Sequence, residues 1–324
     1  MLQSFSVKQH IRVSKVKTTR AAFIGFGEAA QALISIAGDN APDVISAFDI
    51  KTRDEATREA KLMDYIQFQV NGAFNPEQAV CGAQVIFSLV TPDQANLALA
   101  PLSSALTEKQ FVVDCNSCAP TVKKHNAKLV ESQGAAYIDA AIMSPVKANS
   151  KPIPLYISGK KATLVAPQLQ YLGFDVTVIS EQVGDASQIK MLRSAMVKGL
   201  EALTTECMLA AHRAGVAPYV IESLEKSYPQ LNLSQLAVYH MERMLTHGKR
   251  RSEELKSVVE TLASLDIDTS MSSGAINWHQ RMSDVNVTVT VTVDNQTLEQ
   301  LSNQILNTME HSASPIQSND TLTS

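Results

Sequence analysis

From Ala21 onward, short apolar runs alternate with stretches whose apolar residues recur at helical spacing. Ala21-Ala22-Phe23-Ile24 is the first run, and residues 43–48 form the second. Residues 85–90, 111–114, 137–139, 155–159 and 174–179 follow. Runs this short, bounded by Gly, Pro and polar residues, predict buried strands, and the patterns between most of them predict helices. Such alternation predicts a doubly wound α/β sheet of about six to eight strands, ending near Ser180.

Beyond Ser180 the period changes. From Gly184 to Gly215 the apolar residues Ile189, Leu192, Met196, Leu200, Leu203 and Cys207 approach helical spacing, with Asp185 and Ser187 as a start signal and Gly215 as a stop. This predicts one long helix walling two domains, with Lys190, Ser194 and Lys198 on one face. Helices are then predicted over residues 218–228, 233–247, 252–265 and 297–309, with Gly248-Lys249-Arg250-Arg251 as a joint. Residues 285–293 alternate Val with Asn or Thr, the period of a half-buried strand. The expected organisation is a basic tail over 1–19, a nucleotide-binding domain over 20–182, a helical domain over 183–311 and a polar, disordered tail over 312–324.

Composition narrows the class. Of 324 residues, 45% are hydrophobic and 19% charged, which fits a folded soluble protein, and the net charge of −4 gives no reason to expect nucleic acid. No apolar run is long enough to span a membrane. Four cysteines without a secretory signal point to a reducing, cytoplasmic setting. The basic, acid-free N-terminus fits a flexible tail or a transit peptide; the missing amphipathic face favours the tail.

The chemistry concentrates at the strand ends. Gly25-Phe26-Gly27-Glu28-Ala29-Ala30 is a G-x-G-x-x-A pattern between a strand and a helix. Its first Gly allows a tight turn, its second lets the backbone approach a pyrophosphate, and the helix N-terminus offers free N–H groups to phosphate. Asp49 closes the second strand 24 residues after Gly25. An acid there accepts bonds from a ribose and favours NAD; Lys51 and Arg53 can instead receive a 2′-phosphate, which leaves NADP open. Val90 and Thr91, Asn116 and Ser117, and the loop 140–145 with Met143 and Ser144 end further strands and join the candidate site. Cys115 and Cys118 form a C-x-x-C pair without the second ligand pair of a metal site or a thioredoxin-like setting. Arg250 and Arg251 read as a solvated face with local ion pairs, or as a grip on an anionic substrate. His240, His247 and His279 have no metal-ligand spacing.

These residues resemble the β-hydroxyacid dehydrogenase superfamily, which includes 6-phosphogluconate and 3-hydroxyisobutyrate dehydrogenases. The likeness spans roughly residues 21–278. The glycine fingerprint is Gly25 to Ala30; the strand-end signature D-x-[NS]-[ST]-x-x-P looks like Asp114 to Pro120; the substrate loop looks like Asp139-Ala140 onward. The catalytic stretch G-x-G-x-x-x-K aligns with Gly184 to Lys190, with Ala186 in place of the second Gly. The pattern at Lys190 to Ser194 and at His247 to Glu254 is similar to a branch with a C-terminal helical domain of unknown function. Ser194 stands where the family has a substrate-binding Asn, and Met143-Ser144-Pro145 replaces its Ser-Gly-Gly.

The resemblance implies a Rossmann-type domain followed by an all-α domain, and an NAD(P)-dependent oxidoreductase acting on a small hydroxy acid or related alcohol. It implies Lys190 as general acid/base, with Arg193 and Lys198 as its positive surrounding. Asn116, Ser117, Met143, Ser144, Arg193 and Ser194 would meet a small, anionic substrate. It also implies a homodimer or larger assembly. Two alternatives stand beside it: a non-catalytic NAD(P) sensor, which the altered loop permits, and imine reduction on the same scaffold.

Overall fold

The computed structural model describes residues 16–146, 152–285, 287 and 297–312. The N-terminal segment 1–15, most of the alternating stretch 285–293 and the tail beyond Ser312 lie outside the described residues, and so do the expectations made for them.

The first part of the chain alternates strands and helices: β1 (Arg20–Ile24), α1 (Glu28–Ala37), β2 (Val44–Phe48), α2 (Glu55–Gln67), β3 (Asn71–Gly72), α3 (Pro76–Val80), β4 (Val85–Ser88), α4 (Ala95–Leu99), β5 (Phe111–Asp114), α5 (Pro120–Glu131), β6 (Ala136–Ile142), β7 (Ile153–Ser158), α6 (Ala162–Tyr171) and β8 (Phe174–Ser180). One eight-stranded sheet results, in the order β3-β2-β1-β4-β5-β6-β7-β8. Every pairing is parallel except β6 with β7. Both faces are covered. Phe23 and Phe87 face one apolar cluster, while Ala22, Ile24 and Ile86 face another, which is why these strands read as unbroken apolar runs rather than alternating ones. The chain leaves β1 toward β2 and β3, then returns to β4 on the other side. That reversal opens a crevice at the carboxyl ends of β1 and β4, where ligands of such sheets bind. The two-residue strand β3 went unread, because an Asn-Gly pair at a sheet edge carries no apolar signal. Strand β6 continues through Ile142, so the loop expected from Ala140 begins only at Met143; Ala140 and Ala141 are buried in the sheet, 1% exposed each.

The rest is helical: α7 (Asp185–Arg213), α8 (Ala217–Ser227), α9 (Leu233–Ala263), α10 (Ser270–Asp284) and α11 (Leu298–Ser312). The chain divides into two compact units, with the boundary inside α7 between Leu192 and Arg193.

Two helical expectations need correction. The predicted joint at residues 248–251 does not exist; α9 runs through it for 31 residues. Gly248 sits where a Cβ would collide with the His279 carbonyl oxygen and press on Ser283 of α10. Here the glycine serves close helix packing, and that contact outweighs its cost of about 1 kcal/mol in a helix interior. The second correction concerns α7. Its apolar stripe faces outward: Met196 is 65% and Leu203 54% exposed, and Ile189, Leu192 and Leu200 are exposed as well. The buried face instead carries Ala186, Met191, Lys198, Glu201, Ala202, Thr205, Met208 and Leu209. Helix α10, which the sequence pattern did not mark, packs along α9.

Candidate active site

The glycine turn is held from three sides. The Gly25 N–H donates to the Phe48 carbonyl at 2.9 Å. The Phe26 N–H donates to Asp49 Oδ2 at 2.8 Å, and the Lys51 N–H to Asp49 Oδ1 at 3.0 Å. From α2, the buried Lys61 donates to the Phe26 carbonyl at 2.7 Å and to Asp64 at 2.6 Å. The Phe26 ring is fully buried, edge-on to Phe23 and near Tyr65 and Phe68. It anchors the turn in the core.

Gly25 has φ +86, and a Cβ there would strike the Leu89 backbone and press on Val90 at 2.8 Å. Gly27 caps α1 with no side-chain hydrogen bond, and a Cβ on it would meet nothing within 4 Å. The N–H groups of the first turn of α1 therefore have no capping side chain. A pyrophosphate fits such a turn.

The turn forms one wall of a cleft of about 470 Å³. Of the residues expected to meet a nucleotide, Gly25, Gly27, Asp49, Val90 and Thr91 line it together, with Lys51 and Arg53 at its side. Phe26, Glu28 and Ala29 do not line it; they build the turn and the helix start. Glu77, Gln94 and Leu97 also line it and were missed by sequence reasoning. The Asn75-Pro76-Glu77 helix start, capped by Asn75 onto the Gln78 N–H at 2.8 Å, was the signal that could have found Glu77. Asp49 is only 9% exposed and gives each carboxylate oxygen to a backbone N–H, so it shapes the turn as well as facing the cleft. Arg53 lies over the Phe48 ring at 5.1 Å.

At the end of β5, Asn116 is 4% exposed. Its Oδ1 accepts the Val90 N–H at 2.7 Å, and its Nδ2 donates to Ser88 Oγ at 2.8 Å. The amide thus ties β4 to the end of β5. Ser117, Met143 and Ser144 remain half-buried at strand ends. Arg193, exposed, and Ser194, half-buried, belong to the second unit.

Beneath these strand ends lies a charged network the sequence reading did not find. Asp114 of β5 and Asp139 of β6 are register neighbours, both fully buried. Lys123 of α5, also fully buried, donates to Asp114 Oδ1 at 2.8 Å and lies 3.6 Å from Asp139 Oδ1. Burial pulls its pKa down, but the two carboxylates outweigh that and hold the ammonium charged. Tyr137 donates to Asp114 Oδ2 at 2.5 Å. Asp139 Oδ2 accepts the Gly184 N–H at 3.1 Å and the Ser187 N–H at 3.0 Å, and Ser158 Oγ accepts the Ala186 N–H at 3.1 Å. The free amides that begin α7 are therefore capped from the sheet. Two carboxylates against one lysine leave a net negative charge, which the positive helix end offsets. Gly184, at φ +107, lets the chain turn tightly against Pro120 and Lys124 of α5.

Lys190 sits half-buried early on this anchored helix. Its charge reaches the Cys115 thiol at the end of β5, which burial pushes up to about 12 while Lys123 and Lys190 oppose the shift. Cys115 and Cys118 are free, buried thiols. Lys198 does not stand beside an open site: it is 5% exposed and paired with Glu254 at 2.8 Å in the second unit.

A glycine turn feeding a helix N-terminus, at the switch point of a mostly parallel sheet, defines a dinucleotide-binding scaffold. Residues 20–180 match the NAD binding domain of 6-phosphogluconate dehydrogenase, and residues 211–282 match a domain of unknown function (DUF1932). The chain is 28% identical to a conserved hypothetical protein from Sinorhizobium meliloti 1021, with a TM-score of 0.75 over 91% of this chain and 98% of that one. It is 30% identical to a conserved protein of unknown function described as structurally similar to 3-hydroxyacid dehydrogenases, with a TM-score of 0.66 over 82% of this chain and 97% of that one. A 3-hydroxyisobutyrate dehydrogenase from Mycobacterium tuberculosis, 14% identical, shares the fold at a TM-score of 0.65 over 90% of this chain and 99% of that one. The chain belongs to the 6-phosphogluconate dehydrogenase-like, 3-hydroxyacid dehydrogenase-like family, in the branch with the C-terminal domain of unknown function.

Proposed function

We propose that this protein transfers hydride between a nicotinamide dinucleotide and a small hydroxy acid or related alcohol, with Lys190 as general acid/base. The observation that carries the reading is the fixed start of α7: Asp139 and Ser158 cap its amides from the strand ends, and Lys190 follows within two turns. Bound nicotinamide supplies the hydride acceptor or donor. The glycine turn and the N-terminus of α1 hold the pyrophosphate. Lys190 Nζ takes the hydroxyl proton in oxidation and returns it in reduction. Ser117, Met143 and Ser144, at the ends of neighbouring strands, are the substrate contacts of this reading. Lys51 and Arg53 at the mouth of the cleft make it receptive to a 2′-phosphate, and Asp49 to a ribose hydroxyl, so both NAD and NADP are within reach.

The chain is proposed to work as a homodimer or larger homo-oligomer, supported by the exposed apolar stripe of α7, Ile189 to Leu203. No helix among the described residues is long and apolar enough to cross a membrane. The free state of all four cysteines supports a cytoplasmic setting.

The test is a panel of hydroxy acids and carbonyl compounds assayed with wild type and Lys190→Ala. The variant should bind nucleotide as wild type does and lose at least about 10²-fold in turnover. Full turnover by Lys190→Ala would overturn the role of Lys190. Nucleotide binding with no turnover by wild type on any compound would favour the sensor reading.

A further inference from the structure

The helical unit contains a charged cluster that the nucleotide chemistry does not use. At its centre is Glu201 of α7, 1% exposed. Arg251 of α9 closes on it with both prongs of its fork: Nε donates to Oε2 at 2.8 Å, and Nη2 donates to Oε1. Lys198, a turn earlier on α7, pairs with Glu254 of α9 at 2.8 Å. These two pairs satisfy both carboxylates.

Two further guanidiniums share these carboxylates at longer range. Arg243 Nε lies 3.7 Å from the Glu201 oxygen that Arg251 already holds, and Arg250 Nε lies 3.7 Å from Glu254. Four cations thus face two carboxylates. The histidines add no charge at neutral pH. Burial, reinforced by Arg251 and Arg243, pushes His240 down to about 4. Burial and the charges of Arg251 and Lys198 do the same to His279, against the opposing effects of its hydrogen bond to the Lys198 carbonyl and of Glu254. His247 is lowered by burial and then by Arg250, Arg243 and Arg251, against Glu254.

The geometry says where the excess can be met. Arg243 is stacked over the Tyr239 ring at 5.6 Å, and its side chain is 23% exposed. Its Nε is buried with no hydrogen-bond partner, as is Nδ1 of the adjacent His240. Tyr239, Arg243, His247 and Arg250 recur at steps of three or four residues and share one face of α9. That face runs from the shielded Arg243 to Arg250, whose side chain is 64% exposed. A guanidinium offers paired donors that match a planar or tetrahedral oxyanion, and a partly desolvated cation that only shares a counter-charge with a closer cation is costly.

We infer that this face of α9 is an oxyanion-binding site, in which Arg243 and Arg250, with His247 between them, take the carboxylate or phosphate group of a small metabolite. The site stands whether or not the protein is a dehydrogenase.

The test is calorimetric titration of the full-length protein with inorganic phosphate and, separately, with acetate, at ionic strength held constant with sodium chloride. Wild type, Arg250→Gln and Arg243→Gln/Arg250→Gln are compared, each also titrated with dinucleotide. The expected result is saturable binding of phosphate, acetate or both by wild type. Affinity should fall at least about threefold in the single variant and at least about tenfold in the double, the loss of one charged hydrogen-bonding partner being of that order. Dinucleotide affinity should not change, which separates this site from the glycine turn. A response to phosphate alone identifies a phosphorylated ligand, and a response to both identifies any oxyanion. If the half-buried Arg243 proves necessary for folding, the exposed Arg250→Gln decides the matter alone. Equal affinity in wild type and Arg250→Gln, or no binding beyond that of chloride, overturns the inference.

Discussion

Gly25 meets two demands at once. Its φ of +86 is unfavourable for any side chain, and a Cβ would enter the Leu89 backbone. Gly25→Ala should cost about 1–3 kcal/mol from the dihedral alone, and more from the clash; the check is a lowered Tm together with loss of the nucleotide-induced shift. Asp49→Asn tests a subtler point. Asn keeps one acceptor oxygen, so only one of the Phe26 and Lys51 amides stays well paired. Nucleotide affinity should fall about tenfold, about the effect of one charge-assisted hydrogen bond, and calorimetry reads it directly. An affinity equal to wild type would mean that Asp49 does not hold the turn. Gly25, Gly27, Asp49, Val90 and Thr91 were legible in the sequence, because a glycine turn between strand and helix is a local pattern. Lys61 was not. A lysine on an amphipathic helix reads as solvated, and only the tertiary fold brings its ammonium to the Phe26 carbonyl.

Among the elements, α7 shows what periodicity can and cannot say. The spacing gave a helix from 184 to 215, and the structure has one from Asp185 to Arg213. The spacing could not tell which face is covered, and the stripe from Ile189 to Leu203 is exposed while Lys198 and Glu201 are buried. Charged residues go inside here because each meets a partner brought by α9, and no window of sequence shows that partner. The same holds for Asp114, Lys123 and Asp139. The two-unit division of α9 failed for a related reason: Gly248 and the basic run after it look like a break, yet Gly248 serves packing against α10 and Arg251 serves Glu201. The cap from β6 makes a firm prediction. Asp139→Ala leaves Lys123 short of one counter-charge and removes the acceptor for two α7 amides. It should cost about 3–5 kcal/mol, as breaking a buried pair does. Ser158→Ala, which removes one neutral acceptor, should cost only about 1–2 kcal/mol. Denaturant unfolding of both variants checks the ranking; equal costs would mean that the carboxylate does not anchor the helix.

For the whole molecule, the buried histidines set an acid limit. His240 and His279 are held neutral to about 4, chiefly by burial, against an ordinary value of 6.5. A histidine whose folded pKa is depressed takes its proton more readily unfolded, so stability is lost as pH falls from the unfolded pKa toward the folded one. The Tm should therefore drop between pH 6.5 and 4.5, and His279→Gln should flatten that slope. An unchanged slope would show that His279 stays neutral in both states or titrates freely in both. The exposed stripe of α7 belongs to this scale too. Light scattering is expected to give a mass of two or more chains, and Met196→Glu with Leu203→Glu to reduce it to one, since each charge would be forced into an apolar contact. A monomeric wild type would leave that stripe without the role given to it.

The hydride transfer proposed for this protein depends on the cleft between β1, β2 and β4 holding a nicotinamide dinucleotide. The most direct measurement is a thermal-shift titration of the full chain with NAD, NADH, NADP and NADPH. Tm should rise saturably by several degrees with at least one of the four, as expected for a ligand bound only by the folded state, and the rise should be lost in Gly25→Ala. No shift with any of the four in a folded wild-type protein would contradict nucleotide binding in this cleft.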